Sequence, residues 1–439
     1  MFFDRPESGE ASVLVHFDFN RFDEPDDPRE FEELVLSAQG DPVAFLMGQR
    51  ATPHPKYFIG TGKLEELKDL VVTHEAQVVI FNHTLSPSQE RNLEKVLGCR
   101  VLDRVGLILD IFAQRARTHE GKLQVELAQL RHLSTRLIRG WTHLERQKGG
   151  IGLRGPGETQ LETDRRLIRG RIRSIEARLE KVRKQREQGR RSRKRVDIPT
   201  VSLVGYTNAG KSTLFNRLTH SDVYAENQLF ATLDPTMRRI EIERVGPVVL
   251  ADTVGFISHL PHRLVEAFRA TLEEVNNADL LLHVIDGASE QAADHIVHVN
   301  TVLEEIGAEE QPQLKVFNKL DLLPGHAPRI ERDEDGTATA VWLSAHTGEG
   351  VELLQEVVAE RLASEELHDV LWLKPQFGRL RARLFDANAV SHEDFLDDGS
   401  SELEIKMPKP DFMRLLSAEN VGWDDLHWRG QGNSEGPHV

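Results

Sequence analysis

The residues with the clearest chemical potential form a glycine-rich loop at 205–212. This loop has the spacing G-x-x-x-x-G-K-S, follows an apolar run that predicts a strand at 201–204, and precedes a predicted helix. Backbone N–H groups in such a loop, together with the helix N-terminus beyond it, can bind phosphate oxygens. We expect Lys211 to bind the β- and γ-phosphates of a nucleotide and Ser212 to bind Mg²⁺. The predicted nucleotide contacts in this region are Gly205, Tyr206, Thr207, Asn208, Ala209, Gly210, Lys211, Ser212 and Thr213.

A second motif, at 318–321, selects among the nucleotides that such a loop could bind. Its residues, Asn-Lys-Leu-Asp, follow an apolar run at 313–317 that predicts a strand. Asp321 can accept hydrogen bonds from the ring N–H and the amino group of guanine, a donor pair that adenine lacks. We expect Asn318 to brace the phosphate loop and Lys319 to cover the base. The predicted guanine contacts after the strand at 341–343 are Ser344, Ala345 and His346.

Two further segments could contact the γ-phosphate and Mg²⁺. The run Asp-Thr-Val-Gly at 252–255 ends an apolar strand, so Asp252 can hold Mg²⁺ through a water and the Gly255 N–H can contact the γ-phosphate. In the segment 230–236, Thr232 is the predicted hydroxyl that binds Mg²⁺ only in the triphosphate state, and Thr236 is a second choice. All these motifs follow strands, and open parallel sheets bind ligands at the carboxyl ends of their strands. The predicted catalytic residues are Lys211, Thr232 and Gly255, and the remaining predicted nucleotide contacts are Phe230, Ala231, Thr253 and Val254.

One position departs from the pattern of many small GTPases, which place a glutamine directly after D-x-x-G to orient the attacking water. Here the residue is Phe256, and its side chain cannot polarise water. We therefore expect slow hydrolysis unless a partner, a cation or another residue supplies the missing group. Asn208 is a candidate for recruiting a monovalent cation, so K⁺ joins Mg²⁺ as a predicted cofactor.

The elements around this centre carry an uneven charge. The chain has 439 residues and a net charge of −16, yet residues 111–200 contain 24 Lys and Arg against 10 Asp and Glu. Such a one-sided excess indicates a segment that binds an anionic partner. Apolar residues recur at three- and four-residue steps over about 106–139 and again over about 161–193. The two stripes predict an antiparallel helical hairpin in which each helix buries the other's apolar face.

A glycine-rich segment at 140–160 joins the two predicted helices. It contains five glycines and one proline between 149 and 157, so we expect a loop rather than a helix. A loop this long is usually functional or disordered, and we favour insertion into the partner over disorder. Its G-x-G-x-x-G match follows no strand, which excludes dinucleotide binding. The predicted RNA contacts are Arg146, Lys148 and Arg154, and residues 190–195 are expected to form a polar linker.

The predicted fold class is α/β with four regions. Short strands alternate with helices over 12–104 and predict an N-terminal α/β subdomain at 1–110. The long antiparallel helical hairpin occupies 111–196, a Ras-like P-loop GTPase domain 197–366, and a small α+β module with a tail 367–439. The absence of long apolar runs predicts no membrane span, and a single cysteine, Cys99, excludes an internal disulfide. We expect a monomer in the cytoplasm, with peripheral attachment at the membrane surface as an alternative.

The order of these motifs resembles the HflX family, within the Obg–HflX group of translational GTPases. The matching motifs are G-Y-T-N-A-G-K-S (205–212), F-A-T-L-D-P-T (230–236), D-T-V-G-F (252–256) and N-K-L-D (318–321). The run G-G-I-G-L-R-G-P-G-E-T-Q-L-E-T-D-R-R (149–166) is more specific to HflX than any GTPase motif. The resemblance implies binding of GTP and GDP, binding to the large ribosomal subunit and its RNA, and splitting of stalled ribosomes under stress, notably heat shock. It also implies that the ribosome stimulates hydrolysis and that the loop at 149–158 reaches toward the peptidyl-transferase region.

Two other functions fit the same sequence. The first is a large-subunit assembly GTPase, which would act on precursor particles. The second is an ATP-dependent RNA-remodelling factor, which would need a second nucleotide site in the N-terminal subdomain. The run Gly-Thr-Gly-Lys at 60–63 resembles part of a phosphate loop, but Tyr57 stands where its first glycine would fall. We interpret it as the start of a helix.

Overall fold

The computed structural model describes residues 9–19, 28–140, 156–196, 198–220, 229–230, 232–257, 269–362, 366–396 and 399–408, with parts of 412–428. These residues form three β-sheets, each built from strands that follow one another in the chain. The predicted α/β class is confirmed. Within the described residues, no helix is long and apolar enough to cross a membrane.

Four parallel strands form the N-terminal sheet, in the order β2-β1-β3-β4. They are β1 (Ala11–Asp18), β2 (Asp41–Gln49), β3 (Val78–Phe81) and β4 (Arg100–Asp103). The helices between them are α1 (Pro28–Ser37), α2 (Thr61–Thr73) and α3 (Pro87–Leu97). Six consecutive residues of β1 are buried, as expected for an inner strand of a parallel sheet. Helix α3 starts where it does because Ser86 and Gln89 each bond the other's backbone N–H.

Three helices follow the first sheet and correct two predictions. They are α4 (Arg104–Arg115), α5 (His119–Gly140) and α6 (Pro156–Val196). The helical stretch predicted over 106–139 is thus interrupted at 116–118. The predicted loop at 140–160 was wrong at its C-terminal end, because α6 starts at Pro156 and proline is well tolerated at the first helical position. The rest of that loop, 141–155, lies outside the described residues. The predicted linker at 190–195 was also wrong, because arginine and lysine are good helix formers and α6 continues through them.

Helices α5 and α6 form the predicted antiparallel hairpin. Ile175 of α6 and Leu123 of α5 are both buried. Two ion pairs join the helices: Arg131 of α5 lies 2.9 Å from Glu176 of α6, and Arg186 of α6 lies 2.9 Å from Glu120 of α5. Early residues of α5 therefore face late residues of α6, which is the antiparallel arrangement.

The central sheet has seven strands in the order β10-β11-β9-β8-β5-β7-β6. The strands are β5 (Thr200–Val204), β6 (Thr236–Ile242), β7 (Gly246–Asp252), β8 (Leu280–Asp286), β9 (Gln313–Asn318), β10 (Arg329–Arg332) and β11 (Ala338–Trp342). Its described helices are α7 (Lys211–Thr219), α8 (Arg269–Asn276), α9 (Ala292–Glu305) and α10 (Val351–Leu362). The five inner strands are parallel and the two edge strands are antiparallel. The predicted motifs therefore meet at one edge, where the parallel strands end.

A four-stranded antiparallel sheet forms the last region, in the order β13-β14-β12-β15. Its elements are β12 (Glu366–Leu373), α11 (Gly378–Asp386), β13 (Val390–Phe395), β14 (Ser401–Pro408) and β15 (His427–Trp428). Leu380 and Leu384 of α11 pack with Leu371 and Phe412 in a core of its own. This is the small α+β module that the sequence predicts.

One hydrophobic core joins the N-terminal region to the nucleotide-binding edge of the central sheet. Ile108 and Phe112 of α4 lie in the same buried cluster as Phe230, Val254 and Phe256. The rings of Phe112 and Phe230 pack edge to face, with their centroids 5.0 Å apart, a favourable geometry for an aromatic pair. The N-terminal region and the central sheet therefore share one core at this edge.

Candidate nucleotide site

The phosphate loop connects β5 to α7, and its shape depends on its two glycines. Gly205 has φ +148° and Gly210 has φ +91°, both in the range that favours glycine. A Cβ at Gly205 would collide with the Val284 carbonyl oxygen, and a Cβ at Gly210 would collide with Asn318 Nδ2. The loop therefore lies so close to β8 and β9 that both glycines of the pattern are needed for steric reasons.

Lys211 starts α7, and its ammonium group lies inside the site. The residue is only 6% exposed, and Nζ donates hydrogen bonds to the carbonyl oxygens of Gly205 (3.1 Å) and Tyr206 (2.7 Å). Burial lowers the pKa of Lys211 to about 8, while the nearby Asp252 raises it. An ammonium group held by two carbonyls at the mouth of a phosphate loop is well placed to bind phosphate oxygens.

Three oxygen-bearing side chains from three elements meet beside Lys211. Ser212 Oγ lies 2.8 Å from Asp252 Oδ2 and 2.7 Å from Thr232 Oγ1, and Thr232 Oγ1 lies 3.0 Å from the same Oδ2. Ser212 belongs to α7, Asp252 ends β7, and Thr232 lies in the segment before β6. The structure thus brings together the three residues that the sequence analysis selected as magnesium ligands.

Asp252 has the properties of a cation ligand. The residue is completely buried, and Oδ1 has no hydrogen-bond partner among the described residues. Burial raises the pKa of Asp252, against the lowering effects of the Ser212 hydroxyl and of Lys211. Carboxylate and hydroxyl oxygens are the donors that Mg²⁺ prefers in proteins. The three side chains therefore fit Mg²⁺, which would neutralise phosphate charge when bound.

The predicted guanine side of the site is held by hydrogen bonds within the region of the central sheet. Asn318 Nδ2 donates to the Ala209 carbonyl (2.9 Å), and Asn318 Oδ1 accepts from the Ala345 N–H (2.8 Å). Asn318 thus braces the phosphate loop, as predicted, and also the loop 344–346. Ser344 Oγ donates to Asp321 Oδ1 (2.5 Å), which leaves Oδ2 of Asp321 for the base.

Two residues that support the guanine side were missed by the sequence analysis. Arg217 of α7 donates from Nε to the Ala345 carbonyl (3.2 Å) and from Nη2 to the His346 carbonyl. Asp286, at the end of β8, lies 2.8 Å from Lys319 Nζ. The position of Asp286 at the carboxyl end of a strand could have identified it in the sequence. Arg217 has no such sequence signal, because its partners lie more than a hundred residues away.

Phe256 is buried at the position where other GTPases carry glutamine. It is 2% exposed, its N–H donates to the Gly205 carbonyl (3.1 Å), and its carbonyl accepts from the Thr207 N–H (2.7 Å). This parallel bridge joins the D-T-V-G-F segment to the phosphate loop. It also directs the Phe256 ring into the shared core, so this position contributes no polar group to the site.

Several predicted contacts have side chains directed away from the phosphates. Val254 and Phe230 are buried in the shared core, and Thr253 Oγ1 donates to the Leu203 carbonyl (2.5 Å). These three residues can therefore offer a nucleotide only backbone groups. The Tyr206 ring stacks on His295 with centroids 3.9 Å apart.

The remaining predicted residues are placed as follows. Gly255 approaches the phosphate loop, since a Cβ there would lie 2.8 Å from Thr207 Cα and 3.0 Å from Lys211 Nζ. Asn208 and Thr207 line a cavity of about 220 Å³ beside the loop, and Thr213 lies in the first turn of α7. Thr236 starts β6 and pairs with Asp252 in the sheet, so Thr232 is the better hydroxyl for Mg²⁺. Ala231 and the three predicted RNA contacts, Arg146, Lys148 and Arg154, lie outside the described residues.

The run at 60–63 does not resemble a phosphate loop in the structure. Gly60 is the cap residue of α2, and the helix starts at Thr61, as interpreted from the sequence. Lys63 lies on the surface, 2.8 Å from Glu66 one helical turn later. This arrangement is that of an ordinary amphipathic helix start.

The central sheet, the phosphate loop and the guanine-contact loops define a P-loop GTPase. Family models agree with this class over three stretches. One described as a 50S ribosome-binding GTPase matches residues 200–319, and models described as the N-terminal and middle regions of a GTP-binding GTPase match residues 26–113 and 115–193. The protein is therefore a GTPase, an enzyme that binds GTP and hydrolyses it to GDP.

The chain belongs to the HflX family of GTPases. It is 61% identical to the GTPase HflX of Escherichia coli over 417 residues, which are 95% of this chain and 98% of that protein. It is 47% identical to the GTPase HflX of Caldanaerobacter subterraneus over 85% of each chain. Among solved structures, it is similar to a GTP-binding protein from the archaeon Sulfolobus solfataricus in complex with GDP, at 24% identity and a TM-score of 0.42, over 80% of this chain and 98% of that chain.

Proposed function

We propose that the protein is a GTP-dependent switch that binds the large ribosomal subunit and rescues or splits stalled ribosomes under stress such as heat shock. Support comes from the HflX family membership and from the name of the model that matches 200–319, which describes a 50S ribosome-binding GTPase. The observation that carries the proposal is the shared core. Through it, Phe112, just before the basic hairpin, packs on Phe230, two residues before Thr232.

Each side chain of the site has a part in this proposal. Lys211 would bind the β- and γ-phosphate oxygens, and Asp321 would accept from guanine. Ser212 and Thr232, with Asp252, would hold Mg²⁺. Thr232 would do so only when a γ-phosphate is present, so its position would differ between the GTP and GDP states.

The group that orients the attacking water would come from outside the Phe256 position. Phe256 is buried and apolar, so the free protein should hydrolyse GTP slowly. A ribosomal group or a K⁺ ion near Asn208 would then supply the missing polarisation, and hydrolysis would release the protein from the ribosome.

The basic hairpin would bind ribosomal RNA. Residues 111–200 hold 24 Lys and Arg, and phosphate contacts make binding strongly dependent on salt. Arg146, Lys148 and Arg154 are the proposed RNA contacts at its tip. Neutralising all three should weaken binding and flatten the salt dependence of the affinity for the large subunit.

The test is GTP hydrolysis with and without purified large ribosomal subunits. Lys211→Ala serves as the blank, because loss of a phosphate-binding cation should cost about a hundredfold or more in rate. Strong stimulation by the large subunit alone supports the proposal, and a subunit-splitting assay follows. Efficient hydrolysis without stimulation would contradict it and would place the catalytic group within the chain.

Two further arms of the same experiment separate the finer proposals. Replacing K⁺ with Na⁺ should slow hydrolysis if Asn208 recruits a monovalent cation, and an unchanged rate would rule that role out. Comparing mature with precursor large subunits distinguishes rescue from assembly, because an assembly factor should be stimulated more by the precursor.

A further inference from the structure

The segment that carries Thr232 is attached to the N-terminal region on both sides of that residue. Before it, the Leu229 N–H donates to Ser37 Oγ at the end of α1 (3.0 Å), and Phe230 packs on Phe112 of α4. After it, Leu233 is buried in the shared core. The position of Thr232 therefore depends on a region that is not part of the GTPase sheet.

Asp234 makes the most specific of these attachments. Its Oδ2 accepts from the backbone N–H groups of Arg117 and Thr118, both at 2.8 Å, and its Oδ1 accepts from Thr118 Oγ1 (2.6 Å). These partners are Arg117 and the N-cap residue Thr118, which directly precede α5, where the helix dipole favours a negative charge. A carboxylate from the GTPase region thus anchors the N-terminus of the first helix of the hairpin.

The residues around Asp234 are arranged to allow this contact. Thr118 Oγ1 also accepts from the Gly121 N–H (2.9 Å), as a helix-capping hydroxyl does. A Cβ at Gly121 would collide with Asp234 Oδ1. Glycine in the first turn of α5 therefore gives the carboxylate room to approach the helix.

Three consecutive residues thus connect two functional parts. Thr232 bonds Ser212 and Asp252 in the magnesium cluster, Leu233 is buried in the shared core, and Asp234 bonds Thr118 at the start of α5. Phe230 has φ +56°, a left-handed conformation that bulky residues rarely adopt. Contacts with the N-terminal region hold the segment in this strained form, so loss of those contacts should let it relax.

The second helix of the hairpin is also attached to the GTPase region. Arg183 of α6 lies 3.6 Å from Glu273, and Arg186 lies 3.8 Å from Glu274, both on α8. Helix α8 follows the D-T-V-G-F segment in the chain. Both helices of the hairpin therefore contact parts of the chain that flank the predicted γ-phosphate contacts.

We propose that Asp234 is a positioning residue for GTP hydrolysis, because its bonds to Arg117 and Thr118 at the N-terminus of α5 hold Thr232 in the magnesium cluster. This inference rests on the proposed function of Thr232 as a ligand in the triphosphate state. It makes the γ-phosphate half of the site dependent on the hairpin. A ribosome that moves α5 would then change how often Thr232 lies in the magnesium cluster, and hence the rate of hydrolysis.

The test compares single-turnover GTP hydrolysis and Mg²⁺·GDP affinity in four proteins: the unaltered chain and the variants Asp234→Ala, Thr232→Ala and Asp234→Ala/Thr232→Ala. Asp234→Ala should slow hydrolysis about tenfold, because it removes a charged carboxylate that accepts three hydrogen bonds. GDP affinity should stay within about twofold, since Thr232 acts only on the triphosphate state. The double variant should be no slower than Thr232→Ala alone, because residues that act through one another are not additive.

A matched control separates positioning from general stability. Asp333→Ala also removes an exposed carboxylate that accepts two backbone N–H groups, those of Asp335 and Thr337, far from the site. It should leave hydrolysis unchanged. If Asp234→Ala fails to fold, Thr118→Ala keeps both backbone bonds to Asp234 and should slow hydrolysis by a smaller factor. It removes the hydroxyl bond to Asp234 and the bond that this hydroxyl accepts from the Gly121 N–H. Asp234→Asn keeps an acceptor oxygen and should recover part of the rate.

The outcomes distinguish this inference from the proposed function. If Thr232→Ala slows hydrolysis and Asp234→Ala does not, or if their effects add, the positioning role of Asp234 is wrong while the magnesium cluster stands. If Thr232→Ala itself has no effect, the assignment of the cluster fails and the inference fails with it. Equal loss of GDP and GTP binding in Asp234→Ala would show a structural role instead.

Discussion

The two halves of the nucleotide site are held in different ways. On the guanine side, Asn318, Asp321 and Arg217 make their bonds within the GTPase region, to partners on the loop 344–346 and the phosphate loop. On the phosphate side, Thr232 lies in a segment that hydrogen-bonds to the end of α1 and to the residue before α5, and that packs on α4. The first half is complete within one region, and the second half is shared between two.

This difference separates recognition from control. Base selection needs a fixed arrangement of donors and acceptors, because discrimination comes from leaving the wrong base with unpaired polar groups. A switch needs an arrangement with two states that a partner can bias. The guanine half suits the first task, and the shared phosphate half suits the second.

The largest effect on the guanine half is expected from Asp321→Asn. The amide would present a donor to the guanine amino group, so GTP affinity should fall about a hundredfold or more. Xanthine carries a carbonyl at that position, so affinity for xanthosine triphosphate should rise. Nucleotide titrations measure both, and retained GTP affinity would show that Asp321 does not contact the base.

Ser344→Ala is the matched control for that change. It removes the 2.5 Å bond from the Ser344 hydroxyl to Asp321 Oδ1 and the bond that this hydroxyl accepts from the Thr347 N–H (3.1 Å). Affinity should therefore fall by about a factor of five without any gain for xanthosine triphosphate. Neither variant should alter the contacts of Thr232, because the two halves share no residue in these bonds.

The elements and the local motifs were predictable because their signals are local. A strand, a glycine loop and a helix start follow one another directly at 201–211, and heptad-spaced apolar residues predicted the hairpin. The limits of α6 were missed for a physical reason. Pro156 can start a helix as readily as it can end one, and the basic run after 189 favours helix as much as solvent exposure.

The contacts between regions were not predictable in the same way. Asp234 stands in a motif quoted from the sequence, but its partners lie 116 and 117 residues away. For Phe256, the sequence predicted only that the polar group of the usual glutamine is missing. Its burial depends on α4 and on the phosphate loop, which come together only in the folded chain.

A substitution at Phe256 tests whether a glutamine at this position would be enough to speed GTP hydrolysis. Because the ring is buried in the shared core, Phe256→Gln should place an unpaired amide there and destabilise the fold by about 3 kcal/mol. Hydrolysis should not become faster. Urea unfolding and single-turnover hydrolysis measure the two effects. Phe256→Leu is the apolar control, with an expected cost of about 1 kcal/mol, and a faster Gln variant of unchanged stability would contradict the buried arrangement.

The smallest expected effect concerns His283, a buried residue of β8 that lines the cavity beside the phosphate loop. Burial, together with the positive charges of Lys315 and Lys211, lowers its pKa to about 4. Its Nδ1 has no hydrogen-bond partner in the described part of the chain. The neutral imidazole is therefore the form that the folded protein accommodates.

Protonation of His283 links stability to pH in a defined direction. The unfolded chain, with an ordinary histidine pKa of about 6.5, binds this proton at a higher pH than the folded chain does. Stability is therefore lost as the pH falls from about 6.5 toward 4, by about 1.4 kcal/mol at pH 5.5. Urea unfolding at pH 7.5 and 5.5 measures the loss, and His283→Leu should reduce it by about that amount. Because Lys211 contributes to the pKa shift, Lys211→Ala should also make the loss of stability smaller. Asp321→Asn, on the guanine half, should leave the loss unchanged. An equal loss in the unaltered chain and all three variants would show that His283 is not the group that titrates.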